Sequence, residues 1–125
     1  MHGIPPGGVA REDSPTAPIN PYGTSKLMTE WMLRDLAAAS DLRYVVLRYF
    51  NAFGPRQRPD MAFTKAARCL AGGEAFDLYG DGQQSRGWTY VDDVVGATIL
   101  AMSGGDGTYN VGGGVEASLR AAIGI

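Results

Sequence analysis

The chain has 125 residues, of which 45% are hydrophobic and 19% are charged, and its formal net charge is −2 at neutral pH. This is the balance of an ordinary globular domain, and interspersed charges leave no basic stripe for a nucleic acid or a membrane surface. The longest apolar run, Val94–Met102, is too short to span a bilayer, and the N-terminus lacks a signal-peptide pattern.

The first part of the chain predicts a loop followed by an amphipathic helix. Residues 1–18 are rich in proline and glycine and have no periodicity. Asn20 is a good N-cap and Pro21 a good first helical residue, so we expect a helix from Pro21 to about Ala39. Apolar side chains recur along it at nearly helical spacing and give it one apolar stripe: Leu27, Trp31, Leu33 and Leu36.

Tyr22 and Lys26 lie four residues apart near the start of this predicted helix. Positions i and i+4 share a helix face, and a neighbouring ammonium favours the phenolate because opposite charges attract. A tyrosine tuned in this way can exchange a proton near neutral pH, which makes the pair a candidate for acid–base chemistry. Taken alone the pattern is weak, because most such pairs are a partly buried aromatic beside a solvated lysine.

The middle of the chain predicts a strand, a loop and a second helix. Tyr44–Tyr49 is a short β-branched and aromatic run, typical of a strand buried in a parallel sheet. We expect a loop from Asn51 to Pro59, then a helix that is capped by Asp60 and ends near Ala71 at a glycine pair. Cys69 in that helix is the only cysteine, which excludes an internal disulfide and favours an inert thiol in a reducing, cytoplasmic setting.

The last third of the chain predicts alternating strands and helices. The expected elements, in order, are a strand over Phe76–Tyr79, a tight turn at Gly80–Gly82, a returning strand over Gly87–Val91, a helix from Asp92 to about Met102, a strand over Thr108–Val111 and a helix from Ala117 onward. This alternation indicates an α/β fold over residues 1–125, with no linker and a single domain. About four short strands are few for such a sheet, so we expect a partial domain from a longer protein.

The run Gly112–Ala117 fits the G-x-G-x-x-A dinucleotide fingerprint. That fingerprint needs a following strand and an acidic residue for the ribose, and only eight residues follow Ala117. We therefore interpret this run as a strand-to-helix turn.

Five motifs follow one another along the chain: Tyr22-x-x-x-Lys26, Leu47-Arg-Tyr-Phe-Asn51, Gly54-Pro-Arg-Gln-Arg-Pro-Asp-Met61, Tyr79-Gly-Asp-Gly82 and Arg86-Gly-Trp-Thr-Tyr-Val-Asp-Asp93. With them the chain resembles, over essentially its whole length, the NAD-dependent nucleotide-sugar epimerase/dehydratase branch of the extended short-chain dehydrogenase/reductase superfamily. The resemblance implies the C-terminal half of a Rossmann-like fold with its substrate-binding part, without the N-terminal dinucleotide-binding half. His2-Gly3 would then follow a central strand, and the family's catalytic Ser or Thr would lie upstream of the chain.

The resemblance implies NAD as cofactor, with an incomplete site in this chain, and a nucleotide-diphosphate sugar as substrate. Tyr22 resembles the active-site base, and Lys26 the residue that holds the nicotinamide ribose and favours the ionised tyrosine. Tyr49 and Phe50 would lie beside the nicotinamide, and Asn51 would contact the substrate.

Two arginines complete the site that the resemblance implies. Arg86 resembles the arginine that clamps the diphosphate, and Arg58 and the backbone of residues 61–63 would add anion contacts. Each assignment has a plainer alternative: a solvated charge for Arg86, a turn cap for Asn51, and helix caps for Asp92 and Asp93. No cluster of His, Cys and carboxylates has metal-ligand spacing.

The first hypothesis is the catalytic and substrate-binding portion of a 4-epimerase that oxidises C4 transiently. The Arg56–Met61 run resembles enzymes acting on UDP-glucose or UDP-glucuronate. Because the chain lacks the implied cofactor half, we expect it to be inactive alone, and to depend on that half or on a homodimer. The alternatives are a 4,6-dehydratase and a non-catalytic remnant that binds nucleotide sugars or dimerises.

Overall fold

The computed structural model describes residues 8–78 and 80–124, so the predictions for His2, Gly3 and Tyr79 lie outside the described residues. Within them the chain forms four helices and five strands: α1 (Pro21–Ala38), β1 (Val45–Tyr49), β2 (Asn51–Phe53), α2 (Ala62–Gly72), β3 (Ser85–Tyr90), α3 (Val91–Met102), β4 (Gly107–Val111), β5 (Val115–Ser118) and α4 (Leu119–Ile123). This mixture of helices with parallel strand pairing confirms the α/β class. None of the helices in this part of the chain meets the length and hydropathy that a membrane span needs.

The chain divides into two compact units. The first contains the residues up to Arg48 and Ile99–Asn110, and the second contains Tyr49–Thr98 and the residues from Val111 onward. The single domain expected from the sequence stays a prediction.

Helix α1 dominates the first unit and begins where the sequence predicts. The Asn20 side-chain oxygen accepts a hydrogen bond from the Gly23 N–H at 2.8 Å, which satisfies one unpaired amide of the first turn. Leu27 is buried, but Trp31 and Leu36 are 50% and 55% exposed. The apolar stripe that the sequence predicts is therefore only partly buried within the described residues.

An ion pair ties α1 to β1 in the same unit. Arg48 donates from Nε to Glu30 Oε1 at 2.9 Å and from Nη2 to Glu30 Oε2 at 2.6 Å, and the two side chains are only 10% and 13% exposed. Arg48 also donates to the backbone oxygen of Glu12 at 3.1 Å. Hydrogen bonding to the Glu30 carboxylate raises the pKa of Arg48, so the guanidinium stays charged despite its partial burial.

The second unit is built on a sheet with the strand order β2–β3–β5. Strand β3 runs parallel to β2, with Asn51 opposite Trp88, and antiparallel to β5, with Ser85 opposite Ser118. The predicted loop at Asn51 and the predicted helix start at Ala117 are both wrong. Each segment gains hydrogen bonds from β3, a partner that is distant in sequence.

In this unit the predicted glycine turns are confirmed, and the predicted hairpin is wrong. Gly80 and Gly82 adopt φ values of +73° and +67°, as a glycine turn requires, and Gly73 ends α2 at φ +68°. Residues 76–78 are not in a strand, so β3 pairs with β2 and β5 instead of a hairpin neighbour. Helix α2 begins after Met61 without a side-chain cap, so the predicted Asp60 cap is wrong.

Aromatic rings fill the space between α2 and the sheet of the second unit. Phe63 stacks on Phe53 at 5.1 Å between centroids and meets Trp88 edge-on at 4.8 Å, while Tyr90 lies 5.5 Å from Phe53. Each such pair adds about 0.5–1.5 kcal/mol beyond area burial. Thr89, on the same strand as Trp88, is 1% exposed.

The glycine run after β4 leads into β5, so the predicted strand-to-helix turn is corrected to a strand-to-strand connection. A Cβ on Gly113 would lie 2.4 Å from the Trp88 backbone oxygen. The Gly113 N–H donates to the buried Thr89 hydroxyl at 3.1 Å. Close packing on β3 therefore accounts for glycine at position 113.

Replacing Gly113 with alanine is expected to destabilise the protein by about 2 kcal/mol, because a rigid backbone oxygen must move to admit the methyl group. The matched control is Gly96→Ala in α3, where a Cβ meets nothing within 4 Å. That change should stabilise the helix by up to about 1 kcal/mol. Chemical denaturation of both variants measures the difference, and equal midpoints would contradict the packing argument.

Candidate functional site

Helix α1 places Tyr22 and Lys26 on one face, as the sequence predicts. Lys26 Nζ lies 5.4 Å from the centroid of the Tyr22 ring, within the range of a cation–π contact. The Tyr22 side chain is 72% exposed. The Asn20 cap fixes this end of the helix, and buried Gly23 packs closely on Pro18, where a Cβ would lie 3.3 Å from the proline ring.

An exposed phenol beside an ammonium can hydrogen-bond the hydroxyls of a sugar or a ribose. The donor set of Tyr22 and Lys26 therefore fits the nicotinamide-ribose contact that the resemblance implies. The Gly112–Gly114 run does not fit a dinucleotide pyrophosphate, since the Gly113 N–H is already bonded to Thr89. Among the described residues, Lys26 forms no ion pair.

In the second unit, Tyr49 and Phe50 are held by hydrogen bonds that sequence reasoning missed. The Tyr49 hydroxyl lies 2.9 Å from Thr98 Oγ1, and the Thr98 hydroxyl already donates to the Val94 carbonyl at 2.7 Å. The Tyr49 phenol must therefore be the donor. Phe50 N–H donates to the Val111 carbonyl at 3.0 Å, which fixes the backbone just before Asn51.

Asn51 opens β2 and is exposed. Its backbone is in register with Trp88, so the strand pairing sets its position. Its side chain is open to solvent. The amide is thus available to a ligand, as the predicted substrate contact requires.

The loop from Gly54 to Met61 is braced internally by Gln57, another residue that the sequence did not single out. Gln57 Nε2 donates to the Ala52 carbonyl at 3.0 Å, and the Thr64 hydroxyl donates to the Gln57 carbonyl at 3.2 Å. Arg56 adopts φ +64°, a left-handed conformation that is uncommon for a side chain with a Cβ. Side-chain hydrogen bonds therefore add to the backbone bonds Gln57 N–H to Gly54 O and Met61 N–H to Arg58 O that order this loop.

Arg58 and Arg86 differ in how they are engaged. Arg58 donates from Nε and Nη2 to the two Asp60 carboxylate oxygens at 3.1 and 2.7 Å. Arg86 is exposed and makes longer contacts with neutral acceptors, the Ser85 carbonyl at 3.2 Å and Gln84 Oε1 at 3.3 Å. An anion would displace weaker bonds at Arg86 than at Arg58.

The Arg58 guanidinium, by hydrogen-bonding the Asp60 carboxylate, holds the pKa of Asp60 below its ordinary value. Because the folded-state pKa is lowered, the pair stabilises the fold at neutral pH and loses this effect as the pH falls through the lowered pKa. Arg58→Ala should raise the pKa of Asp60, as measured by an NMR titration of its carboxyl carbon. The control Arg56→Ala should leave this pKa lowered, and an unchanged titration in the Arg58 variant would contradict the assignment.

Comparison with known proteins identifies a consistent group of relatives. The sequence pattern of the "NAD dependent epimerase/dehydratase family" matches residues 1–112. A UDP-glucose 4-epimerase of Azospirillum brasilense is 40% identical over 98% of the chain, and a dTDP-glucose 4,6-dehydratase of Streptomyces griseus is 34% identical over 91%. The chain spans 41% and 35% of these two relatives.

Two solved structures share the fold. The UDP-N-acetylglucosamine 4-epimerase of Methanobrevibacter ruminantium, in complex with UDP-N-acetylmuramic acid, superposes with a TM-score of 0.90 at 32% identity, over 98% of this chain and 41% of that one. The UDP-glucuronic acid 4-epimerase of Bacillus cereus, in complex with UDP-glucuronic acid and NAD, gives 0.83 at 35% identity, over 90% and 37%. The match to only part of these folds is in line with the partial Rossmann-like fold that the sequence predicts.

Proposed function

The chain belongs to the NAD dependent epimerase/dehydratase family, and we propose that it carries the acid–base pair and part of the substrate site of a UDP-glucose or UDP-glucuronate 4-epimerase. The observation that carries this proposal is the exposed Tyr22 phenol with the Lys26 ammonium over its ring. The relatives with 4-epimerase names support the reaction.

In the proposed reaction, the Tyr22 oxygen takes the proton of the sugar C4 hydroxyl as the C4–H bond breaks. NAD, when bound, supplies the chemistry of accepting that hydride and returning it. The positive charge of Lys26 stabilises negative charge on the Tyr22 oxygen while the proton moves. Tyr22 and Lys26 of the first unit would hold the nicotinamide ribose of the cofactor. Tyr49 and Phe50 of the second unit are proposed, separately, as cofactor-binding residues.

The second unit is proposed to bind the nucleotide diphosphate. Arg86 is accessible, and its bonds within the described residues go to neutral acceptors, which suits a forked guanidinium that exchanges them for phosphate oxygens. The Asn51 amide would bond the sugar nucleotide, and Arg58 would join when its contacts with Asp60 rearrange. We also propose that activity requires either a homodimer or further sequence like that of the longer relatives. Light scattering of the purified protein tests whether it is a dimer.

A 4,6-dehydratase is the second candidate, favoured by the dehydratase among the relatives. The two reactions give different products from one substrate: an epimeric sugar for the 4-epimerase and a 4-keto-6-deoxy sugar for the 4,6-dehydratase.

A non-catalytic nucleotide-sugar-binding module is the third candidate, and it would bind UDP without any turnover. Assays should compare the 125-residue chain with the longest reading frame that contains it, and we expect turnover only in the longer form.

Tyr22→Phe should lower kcat by roughly 10²–10⁴-fold, because the phenol that takes the proton is gone while the ring remains. The control is Tyr109→Phe, which removes the hydroxyl of another partly exposed tyrosine on β4. Turnover of UDP-glucose and UDP-glucuronate measures both variants in the active form of the protein. Full activity in the Tyr22 variant would overturn the assignment of the base.

Arg86→Gln should weaken UDP binding roughly tenfold, because a charge-assisted hydrogen bond to a phosphate is lost. The matched control is Arg68→Gln, an exposed arginine on α2 in the same unit. Isothermal titration calorimetry with UDP gives both affinities. Equal losses in the two variants would indicate nonspecific electrostatics, and no loss in either would rule out Arg86 as the clamp.

A further inference from the structure

Glu30 is the acidic residue one helical turn beyond Lys26 on α1. Residues four apart on a helix are neighbours, so the Glu30 carboxylate is within reach of an ion pair with Lys26. In the structure Lys26 lies over the Tyr22 ring instead. Both Glu30 oxygens are bonded to Arg48 of β1, at 2.9 and 2.6 Å.

We propose that Arg48 is a positioning residue that holds Glu30 away from Lys26 and thereby leaves the Lys26 ammonium for Tyr22. This inference rests on the proposed function of the Tyr22–Lys26 pair. A surface cation–π contact and an i,i+4 ion pair have energies of the same order. An unoccupied Glu30 carboxylate would therefore draw Lys26 off the tyrosine for a substantial fraction of the time.

The surroundings of Arg48 suit this role. The Glu30 and Arg48 side chains are 13% and 10% exposed, so loss of the guanidinium would leave a carboxylate with little solvation and strongly favour a new cationic partner. Arg48 is itself held by the Glu12 carbonyl at 3.1 Å. The Glu12 carboxylate in turn accepts the Asn110 N–H at 2.8 Å, which keeps this segment in place.

A second cation on α1 competes for the released carboxylate. Arg34 is also four residues from Glu30, on the side away from Lys26, and it is bonded to Asp35 at 3.1 Å in an exposed pair. If Arg34 captured Glu30, the loss of Arg48 would leave Lys26 undisturbed. The arrangement around Lys26 thus distinguishes the proposal from this alternative.

The test compares Arg48→Met, Glu30→Gln and the double variant in the active form of the protein, with Asp35→Asn as the control on the same helix. Arg48→Met should lower kcat roughly three- to tenfold with little change in substrate KM, because Lys26 is diverted from Tyr22. Glu30→Gln should keep kcat near the wild-type value despite reduced stability. The double variant should recover kcat, since an amide does not attract Lys26.

A spectroscopic measurement makes the test independent of turnover. The Lys26 ε-methylene protons should show an upfield ring-current shift from Tyr22 in the wild type, Glu30→Gln, the double variant and the control, and a smaller shift in Arg48→Met. If Arg48→Met does not fold, Arg48→Lys should show the same change with a smaller amplitude, because one ammonium covers Glu30 less completely than the fork.

The proposal is overturned if the Arg48 variants keep the wild-type ring-current shift, or if the double variant is no better than Arg48→Met. The second result would show that Arg48 stabilises the fold but does not position Lys26. If the wild-type protein turned over no UDP-sugar, the proposed function would be wrong. The ring-current shifts of Lys26 in the variants would still test the role of Arg48.

Discussion

The guanidinium of Arg48 is the interaction on which the first unit depends. It joins a strand to the helix that carries Tyr22 and Lys26, and to the loop that leads into that helix. Because a guanidinium fork binds a carboxylate in one preferred orientation, the contact with Glu30 fixes the rotation of α1 about its axis as well as its distance from β1. The contact between Arg48 and Glu30 therefore determines the direction in which the Tyr22 and Lys26 side chains face, although Glu30 lies about two helical turns from Tyr22.

The second unit achieves order by a different means. Its central strand β3 carries an aromatic cluster and, in Thr89, a buried hydroxyl that accepts a hydrogen bond from the glycine connection of β5. Close backbone approach and ring packing hold this unit together, and its arginines remain near the surface. The buried ion pair of the first unit therefore has no counterpart among the exposed arginines described in the second unit.

The parts of the structure that sequence reasoning predicted are those that local rules determine. The Asn20 cap, the glycine that ends α2 and the i,i+4 contact of Tyr22 with Lys26 each depend on residues within one turn. Several predictions failed where a partner that is distant in sequence decides the outcome. Strand β2 exists because β3 lies beside it, and no periodicity within three residues can indicate such a partner.

The candidate site shows the same division. The order of the sequence motifs indicated Arg58, Arg86 and Asn51. It did not single out the residues whose hydrogen bonds hold the candidate site in place. Gln57 bonds Ala52 and Thr64, and Thr98 bonds Tyr49. These partners lie five or more residues away, so no rule that acts within one helical turn indicates them. Asp60 was predicted to cap a helix because aspartate is a common N-cap. Its carboxylate instead accepts hydrogen bonds from Arg58, two residues earlier.

The contact between Tyr49 and Thr98 determines what each of two tyrosines can offer a ligand. Since the Tyr49 proton is directed at Thr98, its oxygen presents only lone pairs outward, and a group that meets it must bring its own hydrogen. The Tyr22 hydroxyl, on an exposed side chain, can present either its proton or its lone pairs. Two phenols of identical chemistry are thus made unequal: one can only accept a hydrogen bond from a ligand, and the other can donate or accept one.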